Sequence, residues 1–451
     1  MTAVPLPQGI TGIKDTPKLS EYLINLFSHE GYLLRTPGTK AEVVSSEVGC
    51  RANATWYVDS KPYFVIGSKL QRLEVGGTLT DLGTIAGSAD CVFSLGQVNL
   101  VIIVKGGNGY TYNDDTGLVQ ITDPDFIPSN SVDFINGRHV FIPSDGEPAF
   151  YSEVDQAGNI NPLNFFDAEE LPDLNKFTIN ISNQLYIGGG QAFEIFRPTT
   201  NVLTPFLKRD NARIDVGYIG GGIRYLGTFA FIGNTRDQGY SINIMQSGQA
   251  PAISNSAINE LLNTEYTSGQ LKDANAFSFQ WKGAQVIGWN IAPYTIAYIG
   301  GNWIYFDSSL DALTTGPWNG KYVTFAYNRY YVGHRTTGQI GSLTDTPGEY
   351  GAQVEYELCT FVRSTKNSYF SLRALEADLL TGQDDTTIGL SLGRDGVAND
   401  DFTYRNLLAT GNYNHRIRWG GGLGTYESFC QIRMRGTGNV KLSMEALEAD
   451  L

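Results

Sequence analysis

Between about Asn53 and Thr346 one pattern restarts every ~35 to 50 residues: three or four short alternating strands rich in Tyr, Phe, Val and Ile, broken by Gly, Asn and Asp turns. The clearest unit runs Ala54-Thr-Trp-Tyr-Val58, a turn at Asp59-Ser-Lys-Pro62, Tyr63-Phe-Val-Ile66, a turn at Gly67-Ser68, Lys69 to Val75, Gly76-Gly77 and Thr78 to Leu82. Four strands in one unit make one blade of a β-propeller. Similar units start near Asp90, Ser131, Asn175, Ile223, Asn275 and Gly320, at intervals of 37, 41, 44, 48, 52 and 45 residues. About seven blades are therefore expected, within the usual propeller range of about four to eight. The repetition lies in pattern and not in letters, with no WD pair and no kelch-like diglycine at fixed register, so a β-solenoid and a long sandwich stand as alternatives.

At 451 residues the chain exceeds one ordinary core, so about two or three domains are expected. A hydrophobic content of 41% with 12% aromatics excludes a disordered chain, and 52 glycines fit a fold of many tight turns. The cysteines Cys50, Cys91, Cys359 and Cys430 show no CxxC spacing and read as buried apolar thiols of a protein made in a reducing cytoplasm. The start Met-Thr-Ala-Val-Pro-Leu-Pro-Gln-Gly has no basic n-region and no apolar h-region, so no signal peptide is expected. No apolar run approaches the ~18 residues of a membrane span. The formal net charge is −14, and its excess sits early: residues 1–350 carry 22 Lys/Arg against 33 Asp/Glu, residues 351–451 carry 10 against 13. Such a balance disfavours wrapping of nucleic acid, whose affinity comes from Lys and Arg releasing counterions, yet suits a surface that DNA passes without sticking.

Leu19, Tyr22, Leu23, Leu26 and Phe27 have helical spacing after Thr16-Pro17, so a short amphipathic helix is expected in a leader spanning residues 1–52. A second helical stretch, Ala257, Ile258, Leu261 and Leu262 behind the cap candidates Ser254-Asn-Ser256, interrupts the fifth unit and is expected to decorate a blade edge. The propeller-like domain is placed at 53–348. After Thr346-Pro-Gly348 strands lengthen and Arg replaces Lys, which places a C-terminal β-sandwich domain at 349–451. There Tyr426, Ser428, Cys430, Ile432 and Met434 alternate with Glu427, Gln431, Arg433 and Arg435, which predicts one buried and one solvated face. Ala374-Leu-Glu-Ala-Asp-Leu379 recurs as Ala446-Leu-Glu-Ala-Asp-Leu451, and the two copies are candidates to pair as equivalent strands.

Motifs of catalysis are missing from the sequence. There is no Walker loop around Gly320-Lys321, no G-x-S-x-G elbow and no H-E-x-x-H, and His29, His139, His334 and His415 are isolated. Gly188-Gly-Gly190, Gly220-Gly-Gly222 and Gly420-Gly-Gly422 precede no convincing helix and read as turns or bulges rather than phosphate cradles. Acidic turns such as Asn113-Asp-Asp115, Asp123-Pro-Asp125, Asp384-Asp385 and Asp400-Asp401 do not match the EF-hand loop. No catalytic residue, metal site or cofactor is expected, and the chain is not read as an enzyme.

Three stretches carry a likeness. The leader closes with Gly31-Tyr-Leu-Leu-Arg-Thr-Pro-Gly38, with Gly31, Tyr32, Pro37 and Gly38 as its marks. Ser247, Gly248 and Gln249 open Ser247-Gly-Gln-Ala-Pro-Ala-Ile, which leads to Ile258. The tail holds Arg373-Ala-Leu-Glu-Ala-Asp-Leu379 with Glu376 and Asp378, a turn near Asp395-Gly396, Arg416-Ile-Arg-Trp419 with Arg418 between, and Gln431-Ile-Arg-Met-Arg435. In this order the chain resembles the packaged-DNA stabilisation proteins of short-tailed bacteriophages, which form the tail hub or nozzle below the portal ring. It departs from that family where the D-G-G-x-T-W turn is reduced to Asp395-Gly-Val and where Gly420-Gly421 replaces an Arg after the Trp. The resemblance implies a structural virion protein, assembled in the host cytoplasm into a homohexameric ring. Such a ring would bind portal or adaptor proteins above and fibres, spikes or a plug below, and retain packaged DNA until ejection. The competing readings are a carbohydrate-binding or glycan-hydrolysing propeller of a tail fibre or spike, and a propeller scaffold outside any virion.

Overall fold

The computed structural model describes residues 2–450 except 13–19, 147, 168–172, 202, 211, 236–238, 310–315, 364–368, 381–385, 395–396, 398, 408–414 and 439–440. Thr16, Pro17 and Leu19 of the expected leader helix, the turns at Asp384-Asp385 and Asp395-Gly396, and the terminal Leu451 lie outside the described residues.

Antiparallel sheets follow one another in chain order around an axis. The first holds Cys50–Trp56, Lys61–Ile66, Lys69–Leu73 and Leu79–Thr84, and the second Cys91–Leu95, Leu100–Val104, Gly109–Asn113 and Gly117–Gln120. The third runs from Ser129–Ile135 to Gln156–Phe166, the fourth from Asn175–Ile181 to Phe206–Lys208, and the sixth from Asn275–Trp281 to Asn302–Phe306. The last is built from Gly320–Ala326, Arg329–His334, Gln339–Thr344 and, as its outer strand, Gly38–Val44 from near the N-terminus. Innermost strands stand side by side in sequence order, and Gly320–Ala326 lies against Cys50–Trp56, so the ring closes as a β-propeller.

The expectation of about seven blades is corrected at the fifth position. Six sheets have the four strands of a full blade, whereas Gly217–Tyr225, Thr228–Thr235 and Gly239–Ile244 form a sheet of three. Helix α1 (Ser256–Thr264) lies along Gly239–Ile244, where a fourth strand would run. Asn255 caps α1 by accepting the Ile258 N–H at 2.9 Å, and Ala257, Ile258, Leu261 and Leu262 are buried, as their spacing predicts. A short α2 (Ser268–Lys272) follows.

The core lies between blades rather than on the axis. Leu100–Val104 is buried along its whole length because each face meets a neighbouring sheet: Leu100 and Ile102 join Tyr63 and Val65 of the first, Val101 and Ile103 join Val132 and Phe141 of the third. Two-residue turns with positive φ at Asn136-Gly137, Ser182-Asn183 and Tyr327-Asn328 match the right-handed strand twist and set the hairpin register. All four cysteines are buried and free, and burial pushes Cys50 and Cys359 up to about 12 and Cys91 to about 11.

The segment expected to hold a leader helix is extended at Tyr22–Ile24 and Leu26–His29 instead, a correction with a packing cause. Tyr22, Leu23 and Ile24 are buried on both faces between Asn302–Phe306, paired in parallel at Ile24↔Tyr305, and Tyr356–Arg363, paired antiparallel. Tertiary pairing thereby overrides a weak local period. From there the sixth blade continues through Tyr356–Arg363, Phe429–Gly436, Thr386–Arg394 and Thr403–Leu407. A facing sheet is ordered Leu26–His29, Tyr32–Arg35, Lys441–Asp450, Phe370–Leu380, His415–Tyr426. Both sheets share one apolar cluster, in which Phe27, Leu358, Leu375, Trp419 and Ile432 meet Phe277 and Trp318 of the propeller. The expected C-terminal β-sandwich is thus not established as a body of its own, since N-terminal strands and a blade complete it.

Candidate assembly surface and axial cavity

The motif residues fall in three places. Glu30 and Gly31 both take positive φ in the turn between Leu26–His29 and Tyr32–Arg35, and Tyr32 pairs by backbone with Ser443. Pro37 leads into Gly38, the first residue of the strand that closes the ring. A Cβ on Gly38 would lie 2.0 Å from the Thr346 carbonyl oxygen and 2.4 Å from that of Gly348, so only glycine lets these backbones meet. Ser247 and Gly248, both at positive φ, form the exposed tip of a tight hairpin in which Gln246 and Gln249 exchange backbone hydrogen bonds of 2.8 and 3.0 Å. That tip belongs to the fifth sheet, whereas the leader hairpin pairs with the C-terminal strands.

The four charged tail residues do come together. Phe370–Leu380 and His415–Tyr426 pair with Glu376 opposite Arg418 and Asp378 opposite Arg416. The Arg418 Nε stands 3.4 Å from Glu376 Oε1, Arg416 Nε contacts Glu376 Oε2 at 2.5 Å, and Asp378 lies 4.0 Å from Arg416. Glu376 is buried while both guanidiniums are more than half exposed, so a fixed carboxylate holds two arginines toward solvent. Trp419 points to the other face and is buried in the shared core. The duplicated hexapeptides pair antiparallel, with Ala374↔Asp450 and Glu376↔Glu448.

Sequence reasoning missed the most charged part of the interior. Arg433 and Arg435, expected on a solvated face, are 2% exposed, as is the Tyr22 beside them, and Glu357 is fully buried. Arg433 Nε donates to Glu357 Oε1 at 3.0 Å, Arg435 Nη2 to Oε2 at 2.6 Å, and the Tyr22 hydroxyl to Oε1 at 2.7 Å. Arg433 also reaches Asp400 at 2.6 Å, and both guanidiniums lie over the Phe402 ring. The segment through Asp400 and Phe402 is what dries this face. Alternation locates a second face but does not say whether water or protein covers it.

A cavity of about 1260 Å³ lies at the propeller axis, lined by the innermost strands. Its wall carries Asp90, Asp133, Asp145 and Asp273 against Lys105, Lys176, Arg224 and Lys272. Arg224 pairs with Asp133, and Lys321 at the wall's edge contacts Asp90 at 2.5 Å while Asn275 donates to the same carboxylate at 2.9 Å. Gly220-Gly-Gly222 forms a bulge in this wall, not a phosphate cradle. There the backbone approaches α2, Phe177 and Trp289, and the Trp289 indole donates to the Gly221 carbonyl at 2.8 Å.

Other candidates are structural. His139 is buried, hydrogen-bonded to Ser94 at 2.8 Å, and pushed down to about 3 by burial, so it stays neutral. Trp56, Trp289, Trp303, Trp318 and Trp419 are buried, which leaves Trp281 as the one tryptophan with partial exposure. Among the described residues no group of three or more His, Cys, Asp or Glu could hold a metal ion.

A search of curated proteins finds no match to this chain. A family comparison does: residues 4–347 match the family described as bacteriophage P22 Gp10, β-propeller. That span takes in the leader hairpin, the closing strand Gly38–Val44, every sheet of the ring and the Ser247-Gly248-Gln249 tip. The chain therefore belongs to the phage stabilisation family of the P22 Gp10 β-propeller, phage structural proteins that stabilise packaged DNA.

Proposed function

We propose that this chain is a subunit of the tail hub, or nozzle, that extends the DNA channel below the portal and adaptor, helps retain packaged DNA and conducts it at ejection. The observation that carries this reading is the width of the axial cavity. A volume of about 1260 Å³ spread along a seven-residue inner strand, ~23 Å at the usual rise, leaves a bore on the order of 10 Å. A DNA duplex, whose major groove alone is about 12 Å wide, does not fit such a bore. A chain of this family that serves DNA passage must then do so between copies, and a closed ring of identical subunits is the economical arrangement. Six copies around the tail axis, with portal or adaptor above and fibres, spikes or plug below, form the channel.

The charge of −14 suits such a wall, because an acidic lumen repels the phosphate backbone and lets it slide. The two-sheet body that joins the C-terminal strands to residues 2–35 offers a second docking surface, with Arg416 and Arg418 held outward by Glu376. Five of the six tryptophans are buried, which leaves Trp281 as the one partly exposed indole for a sugar-binding reading. Electron-microscope class averages of the protein alone and mixed with its portal–adaptor complex test the proposal. Sixfold rings in at least the mixture are expected. Single particles under both conditions, or rings with a uniformly basic lumen, overturn it.

A further inference from the structure

We propose that Asp90 is a latch that holds the propeller closed from its inner side, across the seam between the last sheet and the first. The Asp90 carbonyl accepts the Lys105 N–H at 3.0 Å, which fixes Asp90 to the second sheet, directly before its innermost strand Cys91–Leu95. From there its carboxylate reaches past the first sheet to the two sheets beyond it. Oδ1 meets Lys321 Nζ of the last sheet at 2.5 Å, and Oδ2 accepts from the Asn275 side-chain amide of the sixth at 2.9 Å. These partners stand 231 and 185 residues from Asp90 along the chain.

The seam follows from the path of the chain. The outer strand of the last sheet, Gly38–Val44, leads directly into the first sheet, whereas its other three strands arrive from the sixth. Pairing of Gly38–Val44 with Gln339–Thr344 closes the seam on the outside. Along the inner strands Asn53 donates to the Tyr322 carbonyl at 2.9 Å, and the Thr55 and Thr324 hydroxyls share a hydrogen bond of 2.7 Å. Asp90 adds the charged contact there. The Lys321 and Asp90 side chains are only 16% and 20% exposed, and a charge-assisted bond so far out of water is stronger than a surface pair. A second tie, from Arg224 of the fifth sheet to Asp133 of the third, spans sheets that follow one another in the chain and so closes no seam. Cys50 reports on the seam. Its thiol is buried where Phe64 and Ile66 of the first sheet meet Ala326, Tyr331 and Ile340 of the last, and a Cβ on Gly333 would lie 2.3 Å from its Sγ. The two sheets must part before a reagent reaches it. The latch acts within one chain and does not depend on the chain's place in a virion.

Alkylation of the full chain by iodoacetamide, followed at each cysteine by mass spectrometry, is the test. Asp90→Ala and Lys321→Met should each speed labelling of Cys50 by about tenfold, the factor that loss of one charge-assisted hydrogen bond gives a local opening. The double variant should label no faster than Asp90→Ala, because both substitutions break the same contact. Cys359 and Cys430, buried in the strands Tyr356–Arg363 and Phe429–Gly436, should keep their wild-type rates. Lys208→Met, which removes a pair with Glu194 on the fourth sheet, should leave Cys50 unchanged. Melting curves show whether Asp90→Ala still folds, and Lys321→Met carries the test where it does not. Wild-type labelling of Cys50 in the latch variants overturns the proposal. So does acceleration of Cys359 and Cys430 in step with Cys50, which marks global unfolding. Fold-changes that multiply in the double variant, or equal acceleration by Lys208→Met, overturn it as well.

Discussion

Arg435 holds Glu357 by two hydrogen bonds to one carboxylate oxygen, from Nε at 2.8 Å and from Nη2 at 2.6 Å, inside a sheet where neither residue meets water. Arg433 and the Tyr22 hydroxyl take the other oxygen, so one fully buried carboxylate is shared by two buried cations and ties the N-terminal segment to the C-terminal strands. Glu357→Gln would leave Arg433 with only Asp400, and Arg435 with only Glu355 at 3.8 Å, both of them carboxylates nearer the surface. We expect a loss of ~3 to 5 kcal/mol in urea unfolding, the cost of breaking a buried pair from one side. Replacing Glu357, Arg433 and Arg435 together by apolar residues of similar volume should recover most of it. A single-variant loss below about 1 kcal/mol would show that water already compensates these charges.

Two glycines of one motif are predicted to respond differently to alanine. Gly38 meets the Thr346 and Gly348 carbonyl oxygens at distances no Cβ tolerates, and its strand closes the ring. Gly38→Ala must push that strand away from Gln339–Thr344, so the variant should unfold early and lose the Gly38–Val44 segment first to limited proteolysis. Gly31 has open space around it and only its φ of +80° to defend. Gly31→Ala should therefore cost about 1 to 2 kcal/mol, the left-handed penalty alone. Equal melting temperatures for the two variants would contradict the close-approach argument.

The ring was legible in the sequence because its information is local. Five of the unit starts, at Asp90, Ser131, Asn175, Asn275 and Gly320, fall within two residues of a first strand, since alternation and turn residues sit inside each hairpin. Ile223 was late because the bulge at Gly220-Gly-Gly222 interrupts the alternation after a strand that begins at Gly217. The closing strand Gly38–Val44 pairs with residues some three hundred positions away, and nothing in a strand's own pattern names so distant a partner. Tyr22 and Leu23 fit a helical period as well as a strand, and only the two flanking strands decide between them. In the tail, Glu376, Asp378, Arg416 and Arg418, singled out by the family likeness, stand opposite one another on paired strands. The burial of Arg433 and Arg435 escaped notice because it depends on Phe402, thirty residues upstream.

Glu349 should make stability depend on pH in the sense opposite to a salt-bridged carboxylate. Burial raises its carboxyl to about 7, against the lowering effects of the Ser308 hydroxyl, Arg35 and Trp318, while Asp307 raises it further. A folded-state value above the unfolded one means that the folded chain keeps a proton which the unfolded chain releases above about 4.5. The stabilising contribution is therefore complete below about 4.5 and is lost as pH rises through about 7. Glu349→Gln keeps the neutral state at every pH. The melting temperature of the variant relative to wild type should rise between pH 5 and pH 8, by an amount reflecting up to ~3 kcal/mol. A constant difference across that range would mean that Glu349 ionises normally.

Arg416 and Arg418 present the opposite case, charged groups whose loss should matter more for assembly than for folding. Both are more than half exposed and share the carboxylate of Glu376, so removing either leaves that buried group still paired with the other. Arg416→Ala and Arg418→Ala should each lower stability by no more than about 1 kcal/mol, because screened, half-exposed pairs contribute little. Glu376→Gln leaves the arginines in place but frees them to move, and it should be similarly mild. The double arginine variant removes both outward charges from the strand His415–Tyr426. If that face docks on the adaptor, rings that form with wild-type protein at low salt should be absent with the double variant, while circular dichroism and the melting curve stay near wild type. Raising the ionic strength toward 1 M, where the Debye length falls to about 3 Å, should weaken the wild-type rings in the same direction. A double variant that assembles as wild type does would take this pair off the docking face and leave the Ser247-Gly248-Gln249 tip as the next surface to mutate.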